Sequence, residues 1–131
     1  MQPPPTHLRS FIHRDFHAGN VLWKSGSVSG IVDWLHGCWG PPEQDLAHCR
    51  LNLWCNQGPA AAEAFLEAYY RSLPPPVQGG GLGRGAFTRK THTPYHPYWD
   101  LDEALGNNGA ENAFGNPRRF ESFVAAAVAK L

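Results

Sequence analysis

Blocks of apolar and polar residues between positions 11 and 34 predict a polar loop followed by a β-hairpin. An apolar lead-in enters the loop, and a short apolar run leaves it at residues 21–23. The Ser-Gly-Ser turn at 25–27 precedes a second apolar run, which ends on Asp33. Because such a turn reverses the chain, we expect two paired strands that bring Asp33 back beside Asn20.

The pattern after the hairpin predicts two consecutive helices. Glu43 and Asp45 suit the positive end of a helix, so a first helix is expected to open there and to stop at Gly58. Its stripe recurs at three- and four-residue steps and comprises Leu46, Cys49, Arg50, Leu53 and Trp54. Pro59 is expected to start a second helix, which the prolines at 74–76 close.

Two shorter helices are predicted in the last third of the chain. The first covers residues 97–105, and the second opens with Asn116 as its cap and Pro117 at its first position. The apolar stripe of this last helix comprises Phe120, Phe123, Val124, Ala127, Val128 and Leu131. Residues 77–93 are Gly-rich and aperiodic, which predicts a flexible insert rather than a phosphate-binding loop. Residues 1–10 are expected to form an extended, Pro-rich lead.

Composition restricts the classes of partner. The 131 residues carry eleven acidic and eleven basic side chains, so nothing favours binding to nucleic acid or to an anionic membrane. No apolar run approaches the ~20 residues of a membrane span. Three cysteines without metal-ligand spacing indicate buried thiols, and we expect a cytoplasmic location.

His13, Arg14, Asp15 and Asn20 fit the H-R-D-x-x-x-x-N catalytic loop of phosphoryl-transfer enzymes position by position. In that chemistry one carboxylate accepts the proton of the attacking hydroxyl, and an amide oxygen five residues later holds a metal ion. Asp15 is therefore the candidate base and Asn20 a candidate metal ligand. The second metal ligand is expected at the end of the next strand, where Asp33 lies.

The same stretch resembles the motif of the aminoglycoside phosphotransferase and choline-kinase-like family, His-x-Asp-(Phe/Leu)-His-x-Gly-Asn-(Val/Leu)-Leu followed by (Ile/Val)-Asp-Trp. The resemblance extends to Gly40-Pro41-Pro42 and Asp45-Leu46-Ala47. A weaker resemblance covers residues 97–131, where residues 98–101 are similar to a segment of the family's C-terminal helices. It implies an α+β protein-kinase-like C-terminal lobe, mostly helical with a short catalytic hairpin. It also implies Mg²⁺, ATP and the hydroxyl of a small molecule such as an aminoglycoside or an amino alcohol.

Three further residues are expected to support the loop, and for His13 the resemblance itself implies this role. His13 and His17 are expected to make structural hydrogen bonds within the loop, and Asp45 to brace it from the first helix. Acidic side chains elsewhere are candidates for binding a cationic substrate if they face the cleft: Glu43, Asp100, Asp102 and Glu103. If they do not, the last three form a solvated helix face.

The chain departs from the family before the loop. A kinase-like enzyme places a nucleotide-clamping lobe there, with a strand Lys paired to a helix Glu, but no Lys precedes Lys24. We therefore expect that the nucleotide-binding lobe is absent, that the isolated chain is inactive, and that a separately encoded N-terminal lobe is a candidate partner. The alternative is a truncated, non-catalytic remnant that binds a partner.

A rival enzyme hypothesis uses some of the same residues. On an extended strand His13, Asp15 and His17 point to one side, and two imidazoles with a carboxylate can form the site of a metal-dependent hydrolase. This hypothesis requires all three side chains to converge on one metal ion and gives no role to Asn20 or Asp33.

Overall fold

The computed structural model of the chain describes four parts of it: Pro4 and residues 9–73, 94–106 and 116–131. The predicted insert at 77–93 lies outside the described residues, as does most of the predicted lead at 1–10.

The described part contains four short strands: β1 (Ser10–Ile12), β2 (Val21–Lys24), β3 (Ser27–Ile31) and β4 (Cys38–Gly40). β2 and β3 form the predicted antiparallel hairpin, which is confirmed. Ser25 and Gly26 connect them with φ angles of 51° and 78°. Positive φ at both turn positions matches the right-handed twist of the paired strands.

β1 pairs with β4, and the sequence did not predict this pairing. The two strands are antiparallel, with Ser10 opposite Gly40 and Ile12 opposite Cys38. A Cβ atom at Gly40 would lie 2.5 Å from Ile12 Cδ1. Glycine at this position therefore lets the buried Ile12 side chain pack against the strand.

The helices follow the predicted boundaries closely: α1 (Glu43–Gln57), α2 (Pro59–Ser72), α3 (Tyr98–Gly106) and α4 (Pro117–Val128). Gly58 ends α1 with a φ of 106°, and its N–H donates to the carbonyls of Leu53 and Trp54. Asn116 caps α4, and its side-chain oxygen accepts from the N–H of Arg119 at 3.1 Å. The predicted stop and cap residues are confirmed.

The core is built around α1, which contacts α2, α3 and α4. Its buried members come from all four helices: Leu51, Trp54, Cys55, Ala62, Ala104 and Phe123. Trp54 meets Phe123 edge to face at 5.4 Å, and its ring N–H donates to Ser122 at 2.9 Å. Full burial of an aromatic such as Phe123 contributes about 1.5–3 kcal/mol, so this contact helps to fix α4 against α1.

A buried ion pair joins three of the helices. Arg50 on α1 donates from Nε and from an Nη to the two oxygens of Asp100 on α3, at 3.0 and 3.1 Å. The guanidinium also donates to the Ala62 carbonyl and to Glu63 on α2, and Tyr95 donates to Asp100. Asp100 was expected as a candidate substrate contact, and that prediction is corrected here. With 3% exposure its carboxylate is committed to the guanidinium.

Small antiparallel sheets and packed helices give the described part α+β character, as predicted. Among its helices none has both the length and the apolar content needed to cross a membrane. The three cysteines are free thiols, and Cys49 and Cys55 are buried.

Candidate active site

Asp45, on the first turn of α1, ties down the start of the predicted catalytic loop. Its carboxylate oxygens accept from the backbone N–H groups of His13 at 2.7 Å and Arg14 at 2.8 Å. The positive end of α1 favours a carboxylate at this position. Arg14 has a φ of 70°, a left-handed conformation that costs a non-glycine residue about 1–2 kcal/mol. These two hydrogen bonds help to hold the loop in that conformation.

His13 is buried and bonds to backbone rather than facing the cleft. Its Nδ1 accepts from the N–H of Asp15 at 3.2 Å, so Nε2 carries the proton and donates to the Val32 carbonyl at 2.8 Å. The ring is 1% exposed and lies 4.5 Å from the Trp34 ring. His13 thus links the loop to the chain segment that leads into Asp33.

Asp15 and Asn20 lie side by side. The Asn20 amide nitrogen donates to the backbone oxygen of Asp15 at 2.9 Å and to its Oδ2 at 3.2 Å. Because both partners can only accept, the amide nitrogen must face Asp15, and this turns the amide oxygen toward other ligands. The Asp15 side chain is 36% exposed, so it is accessible to a substrate.

Asp33 lies next to the segment that bonds to Asn20. The N–H of Val32 donates to the Asn20 carbonyl at 3.0 Å, which places the end of the hairpin beside the loop. Asp33 is exposed and has a φ of 64°. Strained non-glycine residues of this kind cluster at functional sites. Carboxylate and amide oxygens are ligands suited to Mg²⁺, and the ligation by Asn20 and Asp33 stays a prediction.

His48, on α1, contacts the candidate base and was not predicted from the sequence. Its Nε2 lies 3.2 Å from Asp15 Oδ1, and its Nδ1 lies 2.8 Å from Glu103 Oε1 on α3. Burial disfavours the charged ring, but the hydrogen bond and charge of Glu103, with the charges of Asp15 and Asp45, raise the pKa of His48 above its usual range. One sequence signal existed: His48 is three residues after Asp45, on the same helix face.

A cavity of about 470 Å³ opens beside these groups. Its lining is mostly polar and includes Arg14, Asp15, His36, Gln44, His48, Asp102, Glu103 and Gly106. Asp102 and Glu103, two of the candidate substrate-binding acids, therefore do face a cleft. Glu43 is not among the lining residues, and its Oε2 is buried without a hydrogen-bond partner.

His17 caps the short 3₁₀ turn Ala18–Asn20 and accepts from the N–H of Gly19 at 3.1 Å. Its Nε2 is 3.7 Å from Asp15 Oδ1. The rival hydrolase site needs a lone pair from His13 as well, but both nitrogens of His13 are already committed to backbone groups. Within the part of the chain that the structure describes, no group of three or more His, Cys, Asp or Glu side chains could hold a metal ion. The geometry does not support the hydrolase hypothesis.

Homoserine kinases are among the proteins to which this chain is similar. The chain is 36% identical to homoserine kinase of Gluconobacter oxydans (strain 621H) over 66 residues, which is 47% of this chain and 21% of that protein. It is 35% identical to homoserine kinase of Pseudomonas aeruginosa (strain UCBPP-PA14) over 75 residues, 53% of this chain and 23% of the kinase. The aligned part thus spans about a fifth of the length of these relatives. No solved structure matches the chain.

The sequence model of the phosphotransferase enzyme family matches residues 2–79, more than half of the 131 residues. This match covers the loop, the hairpin and α1, and so includes Asp15, Asn20, Asp33 and His48. Membership implies a protein-kinase-like fold, whereas the narrower aminoglycoside and choline kinase resemblance and the assignment to one lobe stay predictions. The chain belongs to the phosphotransferase enzyme family.

Proposed function

We propose that this chain supplies the hydroxyl-activating side of a site that transfers a phosphoryl group from ATP to a small molecule. The observation that carries the proposal is the Asp15 carboxylate, which is held by Asn20 and His48 at the edge of an open cavity. Phosphoryl transfer depends mainly on positioning and charge stabilisation, so a fixed, accessible carboxylate is the feature it needs.

In the proposed reaction the substrate hydroxyl lies against Asp15, which accepts the hydroxyl proton as the oxygen attacks the γ-phosphorus of ATP and the bond from that phosphorus to the leaving ADP breaks. Asn20 and Asp33 would hold Mg²⁺ through their oxygens, and their amide and carboxylate chemistry fits that ion. An Mg²⁺ ion held there would supply positive charge to offset that of the phosphates. Asp45 and His13 keep the loop in place during these steps through their bonds to its backbone.

For the substrate we propose a small hydroxy amino acid or amino alcohol. The cavity offers carboxylates at Asp102 and Glu103 and a guanidinium at Arg14. An ammonium group would pair with the carboxylates, and a substrate carboxylate would pair with the guanidinium. Homoserine carries both charges, and the relatives named above are homoserine kinases. Aminoglycosides, which lack a carboxylate, would use only the acidic side.

The first test measures the binding of metal ion and substrate by NMR of the ¹⁵N-labelled chain. Mn²⁺ in place of Mg²⁺ should broaden the signals of the loop and of Asp33 first, and Asp33→Asn should remove this effect. Homoserine should shift signals around Arg14 and Glu103 more than choline or an aminoglycoside does. Glu121→Gln, on the exposed side of α4, is the matched control and should leave both effects unchanged. Broadening that is centred elsewhere would contradict the proposed metal site.

The second test is turnover. ATP-dependent phosphorylation of a hydroxyl substrate should fall by about 10²–10⁴-fold in Asp15→Asn, the range typical of a general base. If transfer occurs and Asp15→Asn leaves its rate unchanged, Asp15 is not the base and the proposed mechanism is wrong.

A second candidate function, partner binding without catalysis, is favoured by the exposed apolar side chains of the hairpin. Leu22, Trp23 and Val28 are 48%, 65% and 54% exposed. Exposed apolar patches often mark interaction sites, and further polypeptide such as a nucleotide-binding lobe would suit this one. A folded chain that binds neither Mn²⁺ nor any hydroxyl substrate would favour this alternative over catalysis.

A further inference from the structure

His48 is held between two carboxylates that belong to different parts of the fold. Asp15 lies on the loop and Glu103 on α3, and each presents an oxygen to one ring nitrogen of His48, at 3.2 and 2.8 Å. A carboxylate oxygen can only accept, so each contact needs an N–H on the ring. A neutral imidazole has one N–H and can satisfy one contact, whereas an imidazolium satisfies both.

The other charged and titratable groups around the ring are mixed in sign. Asp45 adds a negative charge from the same helix, and Asp102 lines the same cavity. The His17 ring centre lies 6.0 Å away, and Arg14 and His36 also line the cavity. Burial lowers the pKa of His48, but the hydrogen bond and charge of Glu103, together with the charges of Asp15 and Asp45, outweigh it, so the pKa is raised. The side chains of His48 and Glu103 are 15% and 20% exposed, so solvent screens their contact less than the contact with Asp15, whose side chain is 36% exposed.

We propose that His48 is a positioning residue for Asp15, and that its doubly protonated ring fastens the catalytic loop to α3 by donating to Asp15 and Glu103 together. This contact set, named here the His48 bridge, fixes one oxygen of Asp15 while Asn20 fixes the other. The role of the His48 bridge in phosphoryl transfer rests on the proposed function, whereas the bridge itself can be tested without it.

The His48 bridge makes the order of the loop depend on pH. Because the pKa of His48 is raised in the folded chain, the stabilisation from the bridge is fully present below about pH 6.5, the usual value for a free imidazole. It is lost as the pH rises through the folded value. Above that point the ring keeps one N–H. The contact with Glu103 is the shorter and less exposed of the two, so the ring keeps that hydrogen bond and Asp15 loses one of its two anchors.

The test is an NMR titration of the His48 ring in the whole chain. We expect a midpoint above 6.5 that falls by about one pH unit in Glu103→Gln and also falls in Asp15→Asn, because each variant removes an anionic partner. Asp102→Asn removes a carboxylate of the same cavity that does not bond to His48, and it should change the midpoint little. A wild-type midpoint at or below 6.5, or equal effects of the Glu103 and Asp102 variants, would overturn the His48 bridge.

A second measurement separates positioning from a purely structural role. The backbone amide signals of Asp15 and Asn20 should shift with the midpoint of His48, and His48→Gln, which cannot titrate there, should abolish that shift while the core signals of Phe123 stay in place. Loop signals that do not follow the midpoint would contradict positioning. If transfer is measured, its rate should fall above the same midpoint in wild type only. Absence of transfer by the isolated chain, which is the expected result, leaves the NMR measurements to decide whether the His48 bridge exists.

Discussion

Replacing Asp100 by asparagine should destabilise the chain more than any surface charge substitution. The Arg50 guanidinium is 2% exposed and has two of its four hydrogen bonds with Asp100. Asparagine has nearly the same shape but no charge, and it can accept only one of the two bonds. The variant therefore leaves a buried cation without its counter-ion.

The expected magnitude follows from the contacts. A hydrogen bond to a charged group contributes about 1.5–3 kcal/mol, and breaking a buried ion pair by removing one partner costs about 3–5 kcal/mol. We expect a loss of about 4 kcal/mol in the free energy of unfolding for Asp100→Asn. With a urea slope of about 2 kcal/mol per M, the midpoint falls by about 2 M.

The assay is urea unfolding followed by tryptophan fluorescence and circular dichroism. Glu63→Gln is the matched control, because Glu63 also pairs with Arg50 but its side chain is 47% exposed. An exposed pair contributes about 0–1 kcal/mol, so this variant should unfold close to wild type. Replacing both Arg50 and Asp100 by apolar residues of similar volume should recover much of the loss. If the Asp100 and Glu63 variants lost equal stability, the assignment of a buried ion pair at the centre of the helices would be refuted.

Three further predictions concern separate parts of the chain. Burial and the charge of Asp45 raise the pKa of the Cys49 thiol to about 12. Iodoacetamide at pH 8 should therefore label Cys38 in the native chain and Cys49 only after unfolding. Early labelling of Cys49 in the native chain would argue against its burial. Asn116→Ala removes the cap of α4 and should lower the free energy of unfolding, measured in urea, by about 1 kcal/mol, whereas Asn116→Asp should stay near wild type. Equal losses in the two variants would exclude a capping role. Gly26→Ala should lower the free energy of unfolding by about 1 kcal/mol because the φ of Gly26 is 78°, whereas a Cβ at Gly30 meets no close contact and Gly30→Ala should cost less. Thermal unfolding of the two variants compares these losses, and a larger loss for Gly30→Ala would contradict the prediction.

The helix boundaries, the hairpin and the candidate catalytic loop could be predicted from the sequence because they depend on interactions between residues that are close in the chain. Gly58, Pro59 and Asn116 act on their own neighbours in the chain, through backbone conformation and capping, so the helix boundaries could be predicted without knowing the fold. The hairpin was equally local, because its turn joins strands that are adjacent in sequence. The spacing of Asp15 and Asn20 identified a phosphotransferase loop, since five residues of chain suffice to bring these two side chains together.

Only the tertiary structure decided the partners that are distant in sequence. Asp100 and Asp102 differ by two positions, yet one is buried against Arg50 and the other faces the cavity, and their sequence neighbourhood gave no reason to separate them. The role of His48 likewise depends on Glu103, 55 residues away. The packing of α3 against α1 brings Asp100 to Arg50 and Glu103 to His48. Because this packing depends on many apolar contacts across the core, no short stretch of sequence determines it.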